Sequence, residues 1–260
     1  NIFLIDTHKY SVKQITQFNK PRCTIESYYW SPDGKKAAFI RVDRSELKEI
    51  FIPDYTKKFT EAIKFHRPYV GISQSKYTVG IIDIPDEKIS WAKLGMDKIW
   101  PSYRAESLKW APDSIQFCFS ALGETAKDEY LWIVKPSGEA EILAKDHDKR
   151  WIAWAFIQQR MEWLSDSKTL LYSSYRDGYM HVYSLSLDDK KSSQVTKGPW
   201  DIFEFLTTKD DRNLVYISSQ VKPADRTLFR TKFKGKETGV IGQKNGFVTN
   251  LTMSPKGNYV

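Results

Sequence analysis

The chain is short of the residues that most directly announce chemistry: of its 260 residues, only two are cysteine and four histidine. Cys23 and Cys118 have no second ligand at a short interval, so neither opens a metal motif. Cys118 sits among apolar neighbours in Phe117-Cys118-Phe119 and is expected to be a small buried hydrophobe, while a Cys23–Cys118 disulfide stays open. His66, His147 and His181 fit no ligand spacing, and Asp146-His147-Asp148, flanked by Lys145 and Lys149, reads as a solvated loop. No metal and no cofactor is expected. No apolar run approaches the roughly 18 residues of a membrane helix, and helix-length periodicity is scarce. No signal peptide is visible, but Asn1-Ile-Phe-Leu-Ile-Asp6 already reads as mid-strand, so the natural start is expected to lie upstream.

Charge and apolar content are plentiful. Forty basic residues against 32 acidic give +8, with 41% hydrophobic and 14% aromatic residues, enough for a packed core. The lysines are scattered over turns and strand ends: Lys35-Lys36, Lys57-Lys58, Lys190-Lys191 and Lys232 to Lys236. A nucleic-acid surface would concentrate such charge and interleave it with stacking aromatics. Solvated strand edges are the better reading, and no nucleic-acid partner is expected.

What the chain does have is a repeated phrase. Trp30-Ser-Pro-Asp-Gly primes the strand Lys35 to Ile40, Trp110-Ala-Pro-Asp-Ser primes Ile115 to Ser120, and Trp163-Leu-Ser-Asp-Ser primes Lys168 to Ser173. The phrase weakens in Thr207-Thr-Lys-Asp-Asp and returns in Met253-Ser-Pro-Lys-Gly. The aspartates 33, 113, 166 and 210 are expected to fix turns, and tryptophans 30, 110 and 163 to pack between units. Within a unit, strands follow one another across turn signals, as in Thr169 to Ser174, Tyr175-Arg-Asp-Gly178 and Tyr179 to Leu185. Arg176-Asp177-Gly178 is accordingly a hairpin turn. About four strands in some 45 residues is the content of a propeller blade. The predicted fold is an all-β propeller of four-stranded antiparallel blades: a partial ring over residues 1–260 with about four complete blades and incomplete ones at both ends.

Trp30 and Trp110 lie 80 residues apart, more than one blade needs. The excess is Asp43 to Ser75, whose aromatic and aliphatic content has to be buried on its own blade, a neighbouring domain or another subunit.

Trp30-Ser-Pro-Asp-Gly-Lys-Lys-Ala-Ala-Phe-Ile-Arg-Val-Asp43 resembles a blade of the N-terminal propeller of dipeptidyl peptidase IV-like serine peptidases, of the prolyl oligopeptidase superfamily. Ile52-Pro-Asp-Tyr55, Arg67-Pro-Tyr-Val-Gly71 and Lys76-Tyr-Thr-Val-Gly-Ile-Ile-Asp83 follow as they do there. Tyr172 to Tyr183 is similar to that group's hallmark hairpin, and Val195 to Ile202 to the junction after it. The resemblance implies a non-catalytic propeller that gates and positions short peptides for a downstream α/β-hydrolase domain of the same protein, exported to the periplasm or outside the cell. The family's catalytic Ser, Asp and His belong to that domain; no Gly-x-Ser-x-Gly elbow occurs here, since Gly71-Ile-Ser-Gln-Ser75 lacks the second glycine, and no catalytic residue is assigned. The paired glutamates that hold a substrate amino terminus are not matched either, because Phe18 to Tyr29 offers only Glu26. In the family, the extension corresponding to residues 43–75 helps two subunits pair, which makes Phe51, Ile52, Tyr55, Phe59, Phe65 and Tyr69 candidate dimer-arm residues. The alternative is a stand-alone TolB-like propeller scaffold or protein-binding module, which shares the Ser-Pro-Asp-Gly turn.

Overall fold

In a computed structural model, residues 1–69, 74–101, 107–152, 161–233, 238–241 and 246–260 are described. Gly71, within the 43–75 insertion, and Lys234 and Lys236 lie outside them. The described elements are all strands: β1 (Phe3–Ile5), β2 (Val12–Gln14), β3 (Cys23–Trp30), β4 (Lys36–Asp43), β5 (Lys48–Asp54), β6 (Glu61–Arg67), β7 (Lys76–Asp83), β8 (Lys88–Trp91), β9 (Ile99–Pro101), β10 (Leu108–Trp110) and β11 (Phe117–Gly123). They continue with β12 (Asp128–Val134), β13 (Ala140–His147), β14 (Met161–Trp163), β15 (Thr169–Ser174), β16 (His181–Ser186), β17 (Ser192–Gln194), β18 (Ile202–Thr207), β19 (Asn213–Ser218), β20 (Thr227–Lys232) and β21 (Thr238–Val240).

These strands form four antiparallel blades, β3-β4-β7-β8, β10-β11-β12-β13 (with β9 also on β11), β14-β15-β16-β17 and β18-β19-β20-β21. The β1–β2 ribbon precedes them, and the β5–β6 ribbon is inserted between the second and third strands of the first blade. The expected all-β blade architecture is therefore what the chain adopts.

The repeated phrase explains the recurrence. In all five copies the fifth residue takes a left-handed backbone: Gly34 at φ 69°, Ser114 at 62°, Ser167 at 55°, Asp211 at 53° and Gly257 at 75°. Its amide bonds the carbonyl three residues back, as in Gly34 N to Ser31 O at 2.9 Å and Gly257 N to Ser254 O at 2.8 Å. The aspartate before it accepts the amide two residues on: Lys35 to Asp33 at 3.0 Å, Ile115 to Asp113 at 3.0 Å, Lys168 to Asp166 at 2.8 Å and Arg212 to Asp210 at 3.1 Å. Short polar side chains stabilise such turns locally, which makes the phrase a folding signal. The Ser31 hydroxyl, then the Lys35 amide, hold the Asp33 carboxyl below its usual range.

The chain divides into two compact units, 1–100 with 135–140, and 101–134 with 141–260. In the first, Phe39, Val42, Val79 and Ile82 fill the middle of the blade. Arg41 lies with its guanidinium 4.4 Å from the Trp91 ring centroid and 5.3 Å from that of Phe18, and its Nε donates to Thr78 Oγ1 at 3.1 Å. Gly138 has φ 87°, and a Cβ there would lie 2.3 Å from the Trp91 carbonyl oxygen, so this turn requires glycine.

In the second unit, neighbouring blades share cores. Ala111, Cys118 and Leu131 of one blade join Met161, Trp163, Leu170, Tyr172, Tyr183 and Leu185 of the next. Leu171 and Val182 then join Ile202, Phe205, Leu214, Tyr216 and Phe229. The Trp163 indole N–H donates to the Lys109 carbonyl at 3.0 Å, fastening one blade's first strand to that of the blade before it. Trp110 and Trp163 are 6% and 5% exposed, as expected of packing residues, but Trp30 is 47% exposed. The expectation for Trp30 thus fails for a physical reason. Among the described residues, the strands ahead of β3 are the three-residue β1 and β2, which carry no buried core residue of the kind that Ala111, Cys118 and Leu131 offer Trp163. Cys118 is buried as expected, and both cysteines are free thiols.

Candidate functional site

Charged groups gather where the β15–β16 turn meets the ends of β12 and β13. The turn Tyr175-Arg-Asp-Gly178 has glycine at φ 97°, and the Gly178 amide bonds the Tyr175 carbonyl at 2.9 Å, which is the hairpin geometry its sequence predicts. Arg176 leaves this turn over the rings of Tyr183 and Tyr172, at 4.4 and 5.3 Å from their centroids. Its Nε donates to Ser174 Oγ at 2.9 Å and its Nη2 to Tyr172 Oη at 2.6 Å, while Tyr172 Oη also meets Ser192 Oγ at 3.0 Å. The same Nη2 lies 3.1 Å from Asp146 Oδ1. A long, flexible side chain is thus held by two rings, two hydroxyls and a carboxylate.

Asp146 is not in a solvated loop. It is the penultimate residue of β13 and is half-buried, facing a guanidinium from the next blade. Glu129 on β12 belongs to the same cluster: desolvation, reinforced by the negative Asp146, pushes its carboxyl up to about 8. Loss of water, with the nearby Asp177 carboxylate adding to it, also pushes the Tyr183 phenol up to about 12. His147, the middle residue of the expected loop, is exposed and meets Asp128 Oδ1 through Nδ1 at 2.7 Å. Asp148 accepts the Arg150 amide at 2.7 Å and is a turn residue.

His181 is fully buried. Its Nε2 donates to the Gly198 carbonyl at 2.9 Å, its Nδ1 faces the Thr196 hydroxyl at 3.1 Å, and the Trp200 ring lies edge-on at 4.8 Å. Both nitrogens are engaged, so it is a packing residue. Among the described residues, no three potential metal ligands converge. Glu26, on β3, is paired with Arg44 Nη2. The cluster can orient and hold charge through carboxylates, hydroxyls and one guanidinium that are partly withdrawn from water.

The six arm residues fall in one place. Phe51 and Ile52 lie on β5 and Phe65 on β6, Tyr55 and Phe59 are in the intervening turn, and Tyr69 follows β6. The register puts Ile50 opposite Phe65 and Ile52 opposite Ile63, an apolar ladder on one ribbon face, while Phe51 opposes Lys64 on the other. Phe65 and Ile50 are half-buried, and the other apolar residues of the ribbon are exposed. The ribbon therefore does not fold flat onto its own blade. No periodicity in the sequence announced the Arg176–Asp146 pair, since its partners lie 30 residues apart; the one available signal was an arginine inside a hairpin turn.

Over residues 24–260 the chain matches the family described as the dipeptidyl peptidase IV (DPP IV) N-terminal region. Dipeptidyl peptidase 4 of Trichophyton rubrum is 20% identical over 259 aligned residues, covering 89% of this chain and 31% of that protein. Prolyl endopeptidase FAP of Mus musculus is 22% identical over 227, covering 78% of this chain and 28% of that protein. The solved structure of Porphyromonas gingivalis dipeptidyl peptidase 4 superposes with a TM-score of 0.77 at 18% identity, covering 94% of this chain and 36% of that one. The chain thus spans about a third of the length of these relatives. With its four blades and a match over all but the first 23 residues, it belongs to the dipeptidyl peptidase IV N-terminal region family.

Proposed function

We propose that this chain is the propeller portion of a serine exopeptidase, which limits access to short peptides and presents them to an α/β-hydrolase domain further along the same polypeptide. The observation that carries the reading is the coverage. The relatives match nearly all of this chain but use it for about a third of their own length, which leaves the remainder for the domain that cleaves. The blades contribute rigidity. In the second unit, cores shared from blade to blade and the Arg176–Asp146 pair fasten neighbouring blades to one another, which supports this reading. An access filter works only if its opening does not yield to a large substrate.

On this reading the purified 260-residue chain releases nothing from prolyl or alanyl dipeptide reporters, whereas a polypeptide that also includes the downstream region does. Turnover by the short chain alone would overturn the proposal. Absence of a Gly-x-Ser-x-Gly elbow from the gene beyond residue 260 would favour the scaffold reading instead. An exported location, as the resemblance implies, belongs to the same proposal; a cell-fractionation result confined to the cytoplasm would count against it.

Pairing of two copies through the arm is part of this proposal, and its surface is the Ile50, Ile52, Ile63 and Phe65 ladder. Replacing Ile52 and Phe65 with glutamate should turn a dimer into a monomer by light scattering. A wild-type protein that is already monomeric removes the pairing.

A further inference from the structure

We propose that Arg226, held between two phenyl rings at the start of β20, is a binding site for a peptide carboxylate. Among the described residues, three arginines lie over pairs of aromatic rings, and they differ in what else they meet. Arg176 donates to Ser174 and Tyr172 and faces Asp146. Arg41, over Trp91 and Phe18, gives its Nε to Thr78. Arg226 has its Cζ 3.7 Å from the Phe203 ring centroid and 4.5 Å from that of Phe247, and among the described residues its guanidinium meets no hydrogen-bond acceptor and no acid. Asp225, its neighbour in the chain, is not paired with it, and the oxygens of Glu204 accept the Asn250 and Leu251 amides at 3.1 and 2.7 Å.

The backbone fixes both rings. Phe203 lies on β18, the first strand of its blade. Phe247 is brought up by a parallel bridge, in which the Arg226 amide bonds the Gly246 carbonyl at 3.0 Å and the Val248 amide bonds the Arg226 carbonyl at 3.0 Å. Stacking thus accounts for where the side chain lies, but it leaves the N–H donors to water. A guanidinium covered on its two faces presents those donors along its edge, in the plane where a carboxylate accepts two parallel hydrogen bonds. Arg226 is half-buried and Phe247 is 66% exposed, so the charge is partly withdrawn from water beside a ring that offers apolar surface to a bound chain. That the carboxylate comes on a peptide rests on the peptide-handling role proposed above. Its source is either the free C-terminus or an acidic side chain.

The test is titration of the isotope-labelled 260-residue chain with three peptides, followed by NMR at the Arg226 Nε–H. Ala-Ala-Ala amide carries no carboxylate and sets the baseline. Ala-Ala-Ala offers a C-terminal carboxylate, and Ala-Asp-Ala amide a side-chain one. At least one of these two should bind about tenfold or more tightly than the baseline, shift the Arg226 resonance, and weaken as salt is raised; which one binds identifies the source. Arg226→Gln should remove that preference and Arg226→Lys, which keeps the charge but not the fork, should reduce it. Arg230→Gln, at an exposed arginine with no ring beside it, should leave it unchanged. The inference is overturned if neither carboxylate peptide binds more tightly than the baseline, a comparison that needs no variant to fold. It is also overturned if Arg226→Gln, folded by circular dichroism, keeps the preference. Binding is read without turnover, so a failure here is separate from a failure of the peptidase reading in the reporter assays.

Discussion

Replacing Trp163 and Trp30 with alanine in parallel tests the blade-to-blade seam, because the two residues hold the same place in the repeat and different surroundings. Trp163 is 5% exposed, belongs to a core shared by two blades, and donates its indole N–H to Lys109 at 3.0 Å. Truncating such a residue costs about 3–5 kcal/mol through lost burial and the cavity left behind. Losing the indole hydrogen bond to the Lys109 carbonyl adds about 1 kcal/mol. At about 2–4 °C per kcal/mol, a loss of about 4–6 kcal/mol should lower the unfolding midpoint by roughly 8–24 °C. Trp163→Phe keeps most of the packing and loses the hydrogen bond, and should fall in between. Trp30, 47% exposed, should cost no more than about 1 kcal/mol on replacement with alanine. Thermal unfolding followed by circular dichroism reads all three. Equal losses for Trp30→Ala and Trp163→Ala would refute the account of the seam.

Three further outcomes follow from the geometry. Gly80→Ala places a Cβ 2.2 Å from Cζ of the fully buried Phe39 ring and should cost about 1–3 kcal/mol in urea unfolding. Burial pushes the Cys118 thiol up to about 12, so a thiol reagent should modify one cysteine, Cys23, in the native protein and two after denaturation. Glu129, at about 8 in the folded chain against its usual 4.5, holds a proton that the unfolded chain releases; stability should therefore decline as pH rises from about 4.5 to about 8 and level off beyond, and Glu129→Gln should flatten that slope in denaturation series at stepped pH.

The blades were legible because their signal is local. A turn with a left-handed fifth residue, and in four of the five copies an aspartate at the fourth, is written in the chain itself, and a strand after it reads directly as apolar alternation. The arm's length was legible from the 80-residue interval, but its form as a ribbon with one apolar face depended on the pairing of β5 with β6. The Arg176–Asp146–Glu129 cluster was not legible, because Asp146 sits in a stretch whose charges suggest solvent and meets its arginine from the next blade, 30 residues on. Trp30 shows the same limit from the other side: a similar phrase gives a buried tryptophan at 110 and 163 and a half-exposed one at 30.

The central claim, a rigid blade assembly that filters substrates for a domain beyond it, is tested most directly by comparing peptides of increasing length with a folded protein as substrates for the polypeptide that includes the downstream region. The account predicts fast release from short peptides, a steep fall with length and no cleavage of the folded protein. Cleavage of the folded protein at the rate of a short peptide would contradict it.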